Sequence, residues 1–211
     1  MARGNGKMHI FLDDVDYTWF VHFLGEVVER FGLECWSYCL MPNHYHVTLR
    51  SNDPTISDPI RHLNGRYAQW WNHKYDRVGH VFQGRFKEQI VQRQDYLLAL
   101  CRYIAMNPVR AGLVSRPEDW KWSSYATTIG IGPAQPFVAS TIVLRQFGDD
   151  ELSDLQSKFA KFVTASALED FVDARIRSNE DILGDATFKR SLNALNEGFG
   201  AEDGRHSSPE A

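Results

Sequence analysis

The sequence has few cysteines and no long apolar run, and both absences exclude classes of protein. Its three cysteines, Cys35, Cys39 and Cys101, are too few and odd in number for a disulfide framework. It contains no stretch of about eighteen apolar residues that could cross a membrane. A signal peptide requires an apolar run after its basic residues, and no such run follows the basic residues at this N-terminus. We therefore expect a cytoplasmic protein without a membrane partner.

Two of the cysteines, Cys35 and Cys39, precede His44 and His46 closely enough to raise the question of a zinc site. If this segment is extended, four residues of strand separate the two sulfurs by about 13 Å. The ligands of a tetrahedral zinc ion lie only about 2.3 Å from the metal. We therefore interpret the thiols as buried and free.

The formal net charge is −4, but the charged residues are unevenly distributed. Residues 1–60 carry a net charge of −4, residues 61–116 carry +7, and residues 117–211 carry −7. A basic middle section between acidic ends indicates a local binding site for a polyanion. The alternative is a charged surface that contacts only solvent.

Apolar periodicity and turn residues predict an α+β fold. The first predicted helix begins at Asp14 or Asp16 and ends at Gly32. Further helices are predicted over residues 60–75, 94–107, 140–147, 152–165 and 185–195. Strands are predicted over Glu34–Met41 and His44–Arg50, with a hairpin turn at Pro42-Asn43. A further strand is predicted within residues 79–91, with Gly79 and Gly84 as turn or bulge points. Pro108 is expected to end its helix, and the tryptophan-rich loop 113–125 to fold back on the core.

The segment 130–136, which contains glycine and proline, is a candidate domain boundary. We predict a first domain in residues 1–130, a helical appendage in residues 131–195 and a disordered tail in residues 196–211. The role of the appendage stays open; bracing the core is the simplest interpretation.

The motif His44-Tyr45-His46 lies on the second predicted strand. Alternate strand residues project from the same face, so both imidazoles would point one way while Tyr45 packs into the core. Two imidazoles about 7 Å apart at Cα can converge on one metal ion. The pattern alone is weak, because surface histidines, or histidines satisfied in a core, produce the same sequence.

A second candidate group is Tyr103 with Asn107, four residues apart and therefore on one face of a helix. The side-chain oxygen of Asn107 can be a third metal ligand or position the metal's water. Tyr103 is a suitable nucleophile for a phosphodiester, because a nearby cation favours the phenolate and neutralises the phosphate. The alternative is a core tyrosine followed by an asparagine that caps the helix end.

The third candidate is the basic stretch between these two groups, in which cations alternate with aromatic residues. Cations hold phosphates, and unpaired bases stack on exposed rings. The candidate DNA-binding residues are Arg61, Arg66, Arg85, Lys87, Arg102 and Arg110.

Several blocks in this order resemble the REP-associated tyrosine transposases, members of the single-tyrosine HUH superfamily with an insertion sequence 200-like domain. The blocks begin at Tyr38-Cys39-Leu40-Met41-Pro42-Asn43-His44-Tyr45-His46 and Leu63-Asn64-Gly65-Arg66-Tyr67. They continue with Gly79-His80-Val81-Phe82-Gln83-Gly84-Arg85-Phe86-Lys87, then the segment from Tyr103 to Val114, then Trp120-Lys121-Trp122-Ser123-Ser124-Tyr125. The resemblance covers about residues 3–130, and Ile182-Leu183-Gly184-Asp185 is a weaker echo.

This resemblance implies a ferredoxin-like α/β sandwich with an antiparallel sheet and a Mg²⁺ or Mn²⁺ ion. It implies that His44 and His46 are metal ligands, that Tyr103 is the nucleophile and that Asn107 is its helix-borne partner. The expected reaction cleaves and rejoins single-stranded DNA at palindromic hairpins through a 5′-phosphotyrosine. The expected location is the bacterial cytoplasm, near the nucleoid, and the oligomeric state, monomer or homodimer, stays open.

One departure concerns the first strand. Family members usually have a strand of the form Tyr-His-Val-Thr before an Arg-Gly-Asn, and here Arg3-Gly4-Asn5 stands near the start. We therefore expect that strand to be missing; either the start lies upstream or folding is impaired. The alternatives to strand transfer are a non-catalytic protein that binds DNA hairpins and a metal-dependent hydrolase.

Overall fold

The structure, a computed structural model, describes residues 1–53, 55–91, 93–165, 182–183 and 189–190. Its strands are β1 (Ala2–Arg3), β2 (Glu34–Met41), β3 (His44–Arg50), β4 (Ile90–Val91) and β5 (Ile182–Leu183). The first three form an antiparallel sheet in the order β1-β3-β2, and the last two form a separate parallel pair. The predicted hairpin is therefore confirmed, with the bounds of both strands as expected.

The helices are α1 (Asp14–Arg30), α2 (Ser57–Lys74), α3 (Arg93–Arg110), α4 (Tyr125–Thr128), α5 (Ser140–Leu144) and α6 (Leu152–Thr164). Short 3-10 turns cover Asn5–Lys7, Pro117–Asp119 and Arg145–Phe147. None of the helices in the described part of the chain is both long and apolar enough to span a membrane.

Side-chain alternation along the hairpin gives the sheet two different faces. Tyr38, Leu40 and Tyr45 pack into the larger core, beneath α1 and α2. Cys39 and Met41 point the other way and contact Ile104 of α3. All three cysteines are buried and free, as predicted. The sheet therefore separates a two-helix layer from the single helix α3.

Helix α1 begins where the sequence predicts because its first turn is capped twice. The Asp13 carboxylate accepts from the Asp16 amide, and the Asp16 carboxylate accepts from the Asp13 amide at 3.2 Å. At the other end Gly32 adopts a left-handed conformation, φ 59°, which residues with a Cβ rarely adopt. Predicted and observed bounds therefore agree closely for this helix.

The strand predicted within residues 79–91 is much shorter than that segment, whereas Gly79 and Gly84 are turn points as predicted. Only Ile90–Val91 forms a strand, and Phe82 makes one isolated bridge to Gly4. Gly79 and Gly84 have φ values of 101° and 69°, which break the extended conformation on both sides of Phe82. This segment is instead held against the N-terminus by single hydrogen bonds, including Gln83 N–H to the Arg3 carbonyl at 2.8 Å.

The expected end of α3 is also wrong, because the helix continues through Pro108 to Arg110. Pro108 lies in the last turn, so the amide donor that it lacks and the crowding by its ring affect only the end of the helix. The Ala111 amide still donates to the Asn107 carbonyl, and the Leu113 amide donates to Pro108. Gly112, at φ 68°, provides the actual stop.

The tryptophan-rich loop folds back on the core as predicted. The Trp120 indole N–H donates to the Leu40 carbonyl at 3.0 Å, and the Leu40 amide donates to the Trp122 carbonyl at 2.9 Å. The helices predicted over residues 140–147 and 152–165 are confirmed. The helix predicted over 185–195 and the predicted tail lie almost wholly outside the described residues, and the domain boundaries stay predictions.

A second core joins the C-terminal helices to α3. Leu155, Phe159 and Val163 of α6 pack with Leu97 and Cys101. Arg102 is only 3% exposed, and its Nε donates to the Val163 carbonyl at 3.1 Å while Nη2 donates to the Ala165 carbonyl. Its interpretation as a DNA-binding residue is therefore wrong, because its guanidinium binds the end of α6.

We expect Arg102→Met to lower the free energy of unfolding by about 2–3 kcal/mol, because the buried Val163 carbonyl and the partly buried Ala165 carbonyl lose a charged donor. Hairpin DNA binding should not change. The control is Arg61→Met, which removes only an exposed pair with Asp58 and should cost less than about 1 kcal/mol. Urea titrations of the three proteins measure this difference; equal stabilities would contradict the structural role of Arg102.

Candidate active site

The predicted tyrosine and histidines meet between β3 and α3. The ring centroids of His44 and His46 are 5.0 Å apart, with an interplanar angle of 79°. The Tyr103 ring lies 5.8 Å from the His46 ring, edge-on at 83°. All three side chains line one groove of about 670 Å³, together with Asn107. Tyr45 points to the opposite face, where its hydroxyl donates to Asn64 Oδ1 at 2.8 Å.

A neighbouring amide orients His44. The Asn43 Nδ2 group donates to the Lys7 carbonyl at 3.2 Å, which directs its Oδ1 to His44 Nδ1 at 2.7 Å. Because Oδ1 only accepts hydrogen bonds, Nδ1 carries the proton and Nε2 keeps its lone pair. Outer partners of this type fix the tautomer of histidines that bind metals. Sequence reasoning assigned Asn43 only to the hairpin turn; its position directly before the first histidine was the available signal.

Both imidazoles are neutral at pH 7. Burial, and to a smaller extent the positive charges of Arg3 and the N-terminal ammonium, lower the pKa of His44 to about 4. Part of the His46 ring faces the groove, yet desolvation by the surrounding protein lowers its pKa well below 6.5, and the proximity of His44 adds to this. Neutral imidazole is the form that coordinates metal, so the pair is ready to bind at physiological pH.

The lowered pKa values make folding stability depend on pH. An imidazole with a lowered pKa binds a proton more readily in the unfolded state than in the folded state. Below about pH 6.5, protonation therefore favours unfolding, and the free energy of unfolding falls as the pH is lowered. We expect a loss of about 1–2 kcal/mol for His44 between pH 7 and about pH 5, before most carboxylates titrate.

Urea unfolding with EDTA at the two pH values measures this loss, and His44→Gln should lose less stability than the wild type over the same interval. An equal loss in the two proteins would show that His44 is not responsible.

Tyr103 is held by its own helix. The Tyr103 carbonyl accepts from Asn107 Nδ2 at 2.9 Å and from Arg110 Nη1 at 3.2 Å. The Arg110 guanidinium lies 5.1 Å from the centroid of the Tyr103 ring. Asn107 lies inside α3 and does not cap its end. With its amide nitrogen occupied, its Oδ1 is the atom that remains to accept a hydrogen bond or bind a cation.

The donor set fits the divalent cation that the resemblance implies. It consists of two neutral imidazoles and the amide oxygen of Asn107 in one groove. Over the part of the chain that the structure describes, no cluster of three His, Cys, Asp or Glu side chains could hold a metal by itself. A cation here would therefore need water or a substrate oxygen to complete its coordination, as Mg²⁺ and Mn²⁺ commonly do.

The six predicted DNA-binding cations do not form one surface. Lys87 lines the groove and Arg110 lies over Tyr103, so these two are at the site. Arg85 is exposed two residues from Lys87. Arg61 pairs with Asp58 on the surface. Arg66 pairs with Glu26 and lies 4.9 Å from the Phe23 ring, in the helical layer on the other face of the sheet.

Part of the chain is similar to known proteins. The model of the family "Transposase IS200 like" matches residues 5–107, which include β2, β3, both histidines and Tyr103. This segment, just under half of the chain, therefore resembles the IS200-like transposases. The match ends inside α3, at Asn107.

Two individual proteins also resemble the chain. A Haemophilus influenzae protein described as a REP-associated tyrosine transposase is 25% identical over 111 residues, which are 47% of this chain and 63% of that protein. The chain therefore matches less than two thirds of that relative's length. The structure of a REP-associated tyrosine transposase bound to a REP hairpin covers 65% of this chain and 83% of its own, with a TM-score of 0.52 and 20% identity.

At 20% identity, the similarity to this solved structure is evidence for the fold alone, which is a mixed α/β arrangement with a small antiparallel sheet. The resemblance that the sequence indicated is confirmed. The ferredoxin-like description and the missing first strand stay predictions. On the outer side of β3, only His44 and Tyr45 pair with a described strand, β1.

Proposed function

We propose that this protein cleaves and rejoins single-stranded DNA at hairpins, with Tyr103 as the nucleophile. The observation that carries the proposal is the meeting of the Tyr103 ring with the His44–His46 pair in one groove. A phenol beside two neutral imidazoles is the set of groups that a metal-assisted attack on phosphorus requires.

In the cleavage step the phenol loses its proton to solvent and the Tyr103 oxygen forms a bond to phosphorus. The bond between phosphorus and the 3′ oxygen breaks, and that oxygen takes up a proton to become a free 3′-hydroxyl. The other product is a 5′-phosphotyrosine, which conserves the energy of the broken ester. Attack by a 3′-hydroxyl on the same phosphorus reverses the step, so rejoining needs no nucleotide cofactor.

Each residue at the site has a defined task in this reaction. Tyr103 is held by α3, with Arg110 over its ring. His44 and His46, with Asn107 Oδ1, would hold Mg²⁺ or Mn²⁺, and Asn43 keeps the His44 lone pair on Nε2. The bound cation would neutralise the scissile phosphate and favour the phenolate.

The choice of a hairpin substrate rests on the fold relative, whose structure contains a REP hairpin. Repetitive extragenic palindromes fold into such hairpins when single-stranded. Lys87, in the groove, and Arg85, near it, supply positive charge beside the site. Monomer and homodimer both remain compatible with this proposal.

The test is to incubate the full chain with a 5′-labelled or 3′-labelled single-stranded hairpin and Mn²⁺, and to run a denaturing gel. We expect a covalent protein–DNA band that carries the 3′ label, and a released fragment that ends in a 3′-hydroxyl. Binding without any adduct would indicate a non-catalytic hairpin-binding protein. A free 5′-phosphate product without an adduct would indicate a metal-dependent hydrolase.

A further inference from the structure

Arg3 lies in the candidate active site although the sequence did not mark it as a site residue. Strand β1 pairs with β3 so that Arg3 is directly opposite His44. Residues opposite each other in an antiparallel pair project to the same face. The Arg3 side chain is therefore on the face of the two histidines and Tyr103, and it lines their groove.

The position of Arg3 is fixed from several sides. Its carbonyl accepts from the Gln83 amide at 2.8 Å, and the next amide, that of Gly4, donates to the Asn43 carbonyl at 2.8 Å. A Cβ at Gly4 would collide with the Met8 carbonyl oxygen, so only glycine allows this close packing. The backbone that carries Arg3 is thus tied to the turn that carries Asn43 and His44.

The guanidinium of Arg3 has a donor that the described residues leave without an acceptor. Its Nε atom is buried and makes no hydrogen bond within the described part of the protein. A buried N–H without an acceptor is costly, and it costs most when the group is charged. An anion in the groove would supply the missing acceptor.

We propose that Arg3 binds the phosphate that Tyr103 attacks, donating its Nε–H to a non-bridging phosphate oxygen. This inference rests on the proposed function of the site and adds a substrate-binding residue to it. Arginine suits the task because its planar guanidinium presents several donors to a phosphate and stays charged when partly buried. Arg110 lies 5.1 Å from the centroid of the Tyr103 ring, in the last turn of α3.

The first test uses inorganic phosphate as the probe and needs neither DNA nor catalysis. In full-length protein labelled with ¹⁵N-arginine and kept in EDTA, the Nε–H resonance of Arg3 is assigned as the one that Arg3→Lys removes. We expect phosphate to shift it saturably, in the millimolar range. The matched control is the resonance of Arg102, also buried, whose Nε already donates to Val163; it should not move.

The proposal is overturned if the Arg3 resonance does not respond, or responds no more than that of Arg102. Because this result is independent of cleavage, it stands apart from the covalent-adduct assay, which decides the proposed function.

The second test measures the hairpin reaction of Arg3→Gln. Losing one donor to the reacting phosphate should slow adduct formation about 100-fold and change the hairpin dissociation constant less than about threefold. An unchanged rate, or a loss of binding equal to the loss of rate, would contradict the assignment.

Discussion

Tyr103→Phe is expected to abolish the covalent protein–DNA band, a loss of at least about 1,000-fold, since no other atom at the site replaces the nucleophilic oxygen. The ring, its edge-on contact with His46 and the cation over it are compatible with phenylalanine. Folding and hairpin binding should therefore be unchanged. The measurement is the denaturing gel together with a binding titration of the same preparation.

The matched control is Tyr17→Phe. Tyr17 is 7% exposed and stacks on Trp122 at 4.6 Å, beneath the other face of the sheet. It should form the adduct at the wild-type rate. An adduct that persists in Tyr103→Phe would remove Tyr103 from the mechanism, and loss of the adduct in both variants would show that the assay reports packing and not the nucleophile.

The sequence predicted the geometry around His44 and His46 because that geometry is local. A two-residue turn fixes the register of the hairpin, and strand alternation then fixes which side chains share a face. The pairing of Cys39 with His46 and of Met41 with His44 follows from these two rules. The i to i+4 relation between Tyr103 and Asn107 is equally local.

Contacts between distant segments could not be read in the same way. In the sequence, Arg102 is one more cation in a basic stretch. Only the fold shows that its guanidinium donates hydrogen bonds to carbonyls at the end of α6. Arg3 reads as part of a motif, and only strand pairing places it opposite His44. Apolar and polar residues alternate around Phe82 as they do in a strand, but Gly79 and Gly84 interrupt the extended conformation. The segment forms only single hydrogen bonds to the N-terminal residues. Charge and periodicity describe a segment, whereas these roles depend on its neighbours.

His46→Ala is expected to lower the rate of DNA cleavage about 1,000-fold or more. Loss of one of the two imidazole ligands weakens the binding of the cation, which stabilises the charge on the reacting phosphate by several kcal/mol. Each 1.4 kcal/mol of lost stabilisation lowers the rate by a factor of ten. Hairpin binding, which depends on cations such as Lys87 along the groove, should change less than about threefold.

The control is His22→Ala on α1, where the imidazole is about half exposed and pairs with Glu26. It should leave cleavage and binding unchanged. Rates measured over a range of Mn²⁺ concentrations test the cause directly, because a lost ligand should be partly compensated by more metal, whereas a distorted groove should not. Equal losses of binding and cleavage in His46→Ala, with no response to Mn²⁺, would mean that His46 shapes the groove and does not hold a cation.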